Sequence, residues 1–255
     1  MAAYAETINK SDVNKRDKIN RVDKRRERVF YTGMAVALVI TVFAGFSRTF
    51  YLRPQFHPEP LIPLLILHGI VFSSWLALLV VQTTLVAANR TRIHRRLGIA
   101  GMVLAVLMIS IGTFTAIVRA KLFVAPPGTG SPLAFLTIPL GDMLIFGLLV
   151  GSAFYFRNRA DIHKRLILLA TIGILPAAVA RLPFAFVEQG GPLVFFGLAD
   201  LFIVPCLVYD LVTRGRPHRA TVLGGALIVI SQPLRILIGS THAWIAFATW
   251  LTQWS

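Results

Sequence analysis

Seven long apolar segments constrain the fold of this chain more than any other feature of its sequence. They cover approximately residues 29–50, 61–87, 97–119, 133–156, 165–187, 192–212 and 221–251. Each is close to the 20 or so residues that an α-helix needs to cross the hydrocarbon core of a bilayer. The sequence therefore predicts an all-α integral membrane protein. A basic tail, residues 1–28, would precede one seven-helix transmembrane domain, residues 29–255.

The distribution of positive charge predicts how these helices are oriented. Lys and Arg are concentrated in the N-terminal tail and in segments 88–96, 157–164 and 213–220. The alternate segments, 51–60, 120–132 and 188–191, are rich in Pro and Gly instead. By the positive-inside rule the N-terminus is cytoplasmic and the C-terminus is outside, in a bacterial inner membrane. The net charge of +15 then favours anionic lipids of the cytoplasmic leaflet as partners, rather than nucleic acid.

A short basic motif repeats at the start of the third, fifth and seventh apolar segments. In each copy an Arg stands four residues before a His, and Lys or Arg follows the His. The three copies contain Arg90 and His94, Arg159 and His163, and Arg214 and His218. The repeat predicts three helical hairpins after a separate first helix. Their histidines are expected to act as anchors at the cytoplasmic interface.

Two Asp and two Arg are among the charged residues inside apolar segments, where an ionised side chain is costly unless it is paired. Counting from the basic motifs places Asp142 and Asp200 at matching depths in the membrane. It likewise places Arg181 and Arg235 at matching depths, and all four lie towards the outer side. Three roles remain open. The residues could form the salt bridges Asp142–Arg181 and Asp200–Arg235, line a binding pocket, or carry a translocated proton or ion.

Polar residues at intervals of seven predict further members of such a pocket, because residues seven apart share one helix face. His68, Trp75, Gln82 and Asn89 follow this interval, as do Arg235 and His242. The predicted ligand-binding set is His68, Gln82, Arg119, Asp142, Arg181, Asp200, Arg235 and His242. Since cations outnumber carboxylates near this pocket, with Arg48 also at its rim, a small or lipid-like anionic ligand is expected.

Two alternatives stay open beside a binding, sensing or assembly-accessory role. His68 and His242 would be the ligands of a haem b in an electron-transfer protein, if they face each other at matched depth. A secondary transporter is the other alternative, although three parallel hairpins differ from the inverted repeats common in that class. An enzyme is not predicted: the chain has no GxSxG, Walker A, HExxH or CxxC motif, and Cys206 is its single cysteine.

The string His68…Gln82…Arg90…His94-Arg95-x-x-Gly98 resembles a signature of uncharacterised bacterial multi-pass membrane proteins. A second string, His163-Lys164-Arg165…Arg181-Leu182, resembles another signature of that family, which usually has His-Arg followed by an aromatic residue. Together they cover about residues 61–185. The resemblance implies an integral membrane protein with a membrane protein partner, since some such proteins are thought to assist respiratory oxidase assembly or haem handling. Its histidine-bearing helices are also similar to those of two-haem cytochromes b.

Overall fold

The computed structural model describes residues 25–57, 59–122 and 131–253 of the chain. Within these residues the chain is helical, without strands. The helices are α1 Arg25–Tyr51, α2 Arg53–Phe56, α3 Pro63–Ala87, α4 Thr91–Leu122, α5 Pro132–Phe135, α6 Thr137–Tyr155, α7 Ala160–Gly173, α8 Pro176–Val179, α9 Ala185–Asp200, α10 Ile203–Arg214, α11 Arg219–Gly239 and α12 His242–Gln253.

Seven helical spans in the described residues are long and apolar enough to cross a membrane. They are Arg25–Tyr51, Pro63–Ala87, Thr91–Leu122, Pro132–Tyr155, Ala160–Val179, Ala185–Arg214 and Arg219–Gly239. The prediction of an all-α fold with seven helices able to span a membrane is therefore confirmed, and it is consistent with a multi-pass membrane protein. Most of the predicted N-terminal tail lies outside the described residues, and its last four residues, 25–28, already belong to α1.

The fourth to seventh apolar segments, which the sequence presents as single helices, are each interrupted in the structure. The fourth breaks at Leu136, between α5 and α6. The fifth breaks after Gly173, because Pro176 lacks the N–H that would bond to the carbonyl of Ile172. The sixth breaks after Asp200, where Pro205 likewise cannot donate to the carbonyl of Leu201. Hydropathy remains high across the breaks at Pro176 and Pro205, so the sequence predicts one continuous helix at each place.

The seventh apolar segment also divides, between α11 and α12. Ser240 and Thr241 lie at the break, and their hydroxyls bond back to the carbonyls of Leu237 and Ile238 at 2.8 and 2.7 Å. The Thr241 hydroxyl also accepts from the backbone N–H of Trp244 at 3.2 Å, so it caps α12. The predicted common stripe of Arg235 and His242 is therefore wrong, because the two residues lie on different helices.

The two ends of the bundle differ in composition. We call the end at which α4, α7 and α11 begin the basic end, since the three basic motifs lie there, and the opposite one the distal end. Helix α6 packs against α4, α7 and α11, and α3 packs along α4. Fully buried side chains fill the space between them, among them Phe146, Leu169, Ile172 and Ile228.

Close packing sets the position of the first span at the distal end. A Cβ atom at Gly45 would overlap the carbonyl oxygen of Ala178 at the end of α8. On the other side, the ring of Phe50 lies against Gly69 of α3, where a Cβ atom would overlap it. Helix α1 therefore lies between α3 and α8, and a glycine makes each approach close enough.

We expect Gly45→Ala to lower the free energy of unfolding by about 1–3 kcal/mol, the usual cost of overpacking, because the Ala178 backbone must move. Gly33→Ala is the matched control on the same helix, since nothing lies within 4 Å of its Cβ position. It should be neutral or slightly stabilising. Reversible unfolding in mixed detergent micelles measures both, and equal stabilities for the two variants would contradict the α1–α8 contact.

Candidate functional site

The clearest polar contact in the membrane-spanning part joins Asp142 of α6 to Arg235 of α11. Arg235 Nη1 donates to Asp142 Oδ1, and both residues are buried, with 6% and 5% of their surfaces exposed. Arg235 Nη2 donates to Ser231 Oγ at 2.8 Å. Gly141 leaves room for the guanidinium, because a Cβ atom there would overlap it. The predicted pairing of Arg235 with Asp200 is therefore wrong.

The other predicted ion pair is also absent from the described residues. Asp200 accepts a hydrogen bond from Gln232 Nε2 at 2.8 Å. Arg181 donates to the backbone carbonyl of Ala177, and its guanidinium carbon lies 4.8 Å from the centre of the Phe46 ring on α1. Because the fifth span breaks before Arg181, this side chain is directed to α1 rather than to Asp142.

Arg181 instead lies among other cationic or neutral donors. It interacts electrostatically with Arg119 of α4 and with His68 of α3. No carboxylate is among its recorded partners in the described residues. An anion would therefore compensate the charge of Arg181.

Three polar side-chain atoms beside these groups are buried and have no hydrogen-bond partner among the described residues. They are Thr49 Oγ1, His68 Nδ1 and Thr115 Oγ1. Such atoms are rare in folded proteins, since each one lost its hydrogen bonds to water when it was buried. We call Thr49, His68, Thr115, Arg119 and Arg181 the distal cluster.

Helix contacts place the α3 and α4 members of the distal cluster at one level. The His68 ring stacks on Phe72 one turn below, with centroids 4.1 Å apart. Phe72 in turn reaches Gly112, where a Cβ atom would lie 3.1 Å from the ring. Thr115 follows Gly112 by three residues and precedes Arg119 by one turn, on the same side of α4. His68 therefore lies beside the end of α4.

The α1 and α8 members reach the same level from the other side. Gly45 contacts Ala178, and Thr49 and Arg181 follow these two residues by about one turn each. Thr49 lies in a π-helical turn, Ser47–Tyr51, which ends α1. Such turns are rare and often occur at functional sites.

Five residues of the predicted ligand-binding set lie outside the distal cluster. Asp142 and Arg235 form the ion pair and Asp200 bonds to Gln232, as described above, and the other two are Gln82 and His242. Gln82 is 14 residues after His68 on α3, about 21 Å away along the helix, near the basic end. With its amide nitrogen facing α4, Gln82 donates to His94 Nδ1 at 2.7 Å, and its oxygen accepts from Gly98 N at 3.2 Å. Gln82 thus joins the C-terminal end of α3 to the N-terminal end of α4.

His242 is the exposed first residue of α12. That helix is held by Trp244, whose Nε1 donates to the carbonyl of Leu133 at 2.7 Å. In the described part of the chain the structure records no contact between His242 and His68, the two residues that a haem b would need to face each other. No group of three or more His, Cys, Asp or Glu side chains in the described residues could hold a metal ion.

A second polar network, at the basic end, was not predicted. Asp210 of α10 is fully buried and accepts hydrogen bonds from Arg165 Nε and Nη2, from the hydroxyl of Thr221 at 2.5 Å, and from His218 N at 3.1 Å. It joins α7, α10 and α11. Its signal in the sequence is an acidic residue eight positions before the third motif histidine, in an apolar segment.

The histidines of the basic motifs also make hydrogen-bond contacts within the protein, in addition to the predicted role as interface anchors. His163 Nδ1 lies 2.8 Å from the carbonyl oxygen of Ala153, in the preceding helix. His218 Nδ1 accepts from Ala220 N at 3.0 Å and so caps α11, while its Nε2 lies 3.1 Å from Asp161 Oδ2. These bonds tie helix ends together.

Comparison of the chain with family models, curated proteins and solved structures finds no match. The resemblance to uncharacterised bacterial membrane proteins stays a prediction. Three residues that carry it, Gln82, His94 and Gly98, share the α3–α4 contact described above.

A double-mutant cycle tests the pairing of the buried charges. Removing one partner of a buried ion pair costs about 3–5 kcal/mol, so Asp142→Asn and Arg235→Gln should each destabilise strongly and together less than additively. The matched cycle of Asp142→Asn with Arg181→Gln should be additive within roughly 0.5 kcal/mol. Unfolding in detergent gives these free energies. Strong coupling to Arg181 would instead support the pairing expected from the sequence.

Proposed function

We propose that this protein is a binding, sensing or assembly-accessory protein of the bacterial cytoplasmic membrane. Its distal cluster would take up the anionic group of a small or lipid-like ligand. The observation that carries this proposal is Arg181, which interacts with Arg119 and His68 but has no carboxylate among its recorded partners in the described residues.

The energetics of the distal cluster favour an anionic occupant. A buried hydroxyl or ring nitrogen without a partner costs about 1–3 kcal/mol, and Thr49, His68 and Thr115 each contribute one such atom. Two guanidinium groups near each other add like-charge repulsion. A single anion supplies acceptors and negative charge together, so it would relieve both costs.

A site on one side of the membrane is supported by the distribution of polar groups. The distal cluster and the Asp210 network lie at opposite ends of the bundle. Between them the interior is filled by apolar side chains such as Phe146, Leu169 and Ile228. This arrangement suits a protein that binds or senses a ligand at one surface better than one that conducts it across.

The charge asymmetry gives the proposed orientation. The basic end, with Arg92, Arg95 and Arg96 exposed in the first motif, would lie at the anionic cytoplasmic leaflet and bind its lipids. The distal cluster would then face the outer side. A membrane protein partner would contact the protein within the bilayer, where its apolar helix faces are exposed.

The proposal predicts that at least one of three anionic probes, inorganic phosphate, oleate or dioleoyl phosphatidic acid, binds the purified protein and raises its unfolding temperature. Ligand at 100 times its dissociation constant adds about 2.7 kcal/mol of stability. Arg181→Gln should weaken this binding by about tenfold or more, the loss of one charge-assisted contact.

The matched control is Arg53→Gln, which removes the same charge from the same end of the bundle. Arg53 is bonded to the backbone carbonyl of Glu59 at 3.0 Å and lies outside the distal cluster. The affinity of the Arg53→Gln variant for the probe should stay unchanged. If both variants lose affinity equally, binding reflects surface charge alone and the proposed site is wrong.

A further inference from the structure

We infer that the ligand of the distal cluster is a membrane amphiphile with a phosphate head group, which reaches the site from the lipid phase. This inference rests on the proposed function and adds the chemical class of the ligand and its route. Three observations carry it: the number of donors in the cluster, its depth in the bilayer, and the apolar surface around it.

The members of the distal cluster come from four helices. Thr49 comes from α1, His68 from α3, Thr115 and Arg119 from α4, and Arg181 follows α8. A carboxylate offers two oxygens and one negative charge, whereas a phosphate monoester offers three terminal oxygens and nearly two charges. The Arg181 guanidinium with three further polar groups, on Thr49, His68 and Thr115, matches the phosphate better, since each oxygen accepts more than one hydrogen bond.

The hydroxyl of Thr115 is the most specific part of this argument. Its side chain is buried, with only 6% of the residue exposed, and its Oγ1 has no partner among the described residues. Elsewhere in the bundle, threonine hydroxyls bond to the carbonyl one turn earlier, as Thr41 does to Ala37 at 2.9 Å and Thr171 to Ile167 at 3.0 Å. Thr115 Oγ1 therefore lacks the bond that its counterparts make, and a ligand phosphate that displaces the side chains around it would supply one.

The depth of the cluster corresponds to that of lipid head groups. Arg181 lies two residues beyond the end of the fifth span at Val179, and Arg119 lies three residues before the end of the third at Leu122. Both arginines are exposed at the protein surface, although the threonines behind them are not. A phosphate at the bilayer surface thus reaches the guanidiniums without any opening of the bundle.

Apolar side chains near the cluster provide a surface for acyl chains. Phe43 precedes Phe46 by about one turn on α1 and is 50% exposed. Phe184 and Phe186, which follow Arg181 closely, are 49% and 58% exposed and stack with centroids 5.7 Å apart. A free phosphate ion would leave these rings unused, whereas a lipid covers them while its head group binds the arginines.

Native mass spectrometry of the full chain in detergent, with three matched probes, tests the inference. Dioleoyl phosphatidic acid carries the phosphate and both chains, dioleoylglycerol only the chains, and glycerol 3-phosphate only the phosphate. Phosphatidic acid should bind about tenfold or more tightly than either fragment, because only it makes both sets of contacts. Oleate, with a carboxylate head group, should also bind more weakly.

Two variants distinguish a ligand role from a structural one. Arg181→Gln should reduce the affinity for phosphatidic acid about tenfold, and Arg53→Gln should leave it unchanged. Thr115→Val removes one hydroxyl at constant shape. It should keep or raise the unfolding temperature of the lipid-free protein, because the hydroxyl has no partner there. It should nevertheless weaken phosphatidic acid binding by roughly three- to tenfold.

The outcomes separate this inference from the function on which it rests. Equal binding of glycerol 3-phosphate and phosphatidic acid would overturn the lipid route but leave an anion site. If oleate binds as tightly as phosphatidic acid, the inference that the ligand has a phosphate head group is wrong. Phosphatidic acid binding that Arg181→Gln and Thr115→Val leave unchanged would overturn the inferred site. If none of the anions binds, both the inference and the proposed function fail.

Discussion

The ion pair between Asp142 and Arg235 is the interaction on which the arrangement of this bundle most depends. Neither charge could remain in the apolar interior alone, so the pair fixes α6 against α11 at the distal end. At the basic end the same helix, α11, is held by Thr221, whose hydroxyl bonds to Asp210. With α11 fixed at both ends, the apolar side chains between them pack against α6 and α7, and these three helices form the framework that the other spans follow.

Much of this architecture could be predicted from the sequence, because the requirement to cross a bilayer acts on segment length and composition directly. The division of segments into two helices was harder to predict. Hydropathy stays high around Pro176 and Pro205, and the break depends on which carbonyl loses its partner. The height of each charged residue could be obtained by counting, but its direction around the helix axis could not. That is why Asp142 was expected beside Arg181 rather than Arg235.

The distal cluster was predicted in part, for a similar reason. The sequence indicates His68, Arg119 and Arg181, because charged and polar residues are unusual in apolar segments. Thr49 and Thr115 gave no signal, since a threonine in a membrane helix ordinarily bonds to its own backbone and needs no other partner. Only the structure shows that these two hydroxyls lack such bonds. Conversely, Gln82 was included with the site on the basis of its heptad spacing from His68, although that spacing places it near the other end of α3.

The distal cluster and the Asp210 network differ in how fully their hydrogen bonds are satisfied, and this difference argues for separate roles. Asp210 accepts four bonds from three residues, which makes the basic end a closed structural network. The distal cluster has three buried polar atoms without partners among the described residues. Its central guanidinium, Arg181, also rests on the Phe46 ring of α1. A ligand that binds Arg181 must compete with or adjust this contact, so occupancy of the site and the packing of α1 are physically coupled.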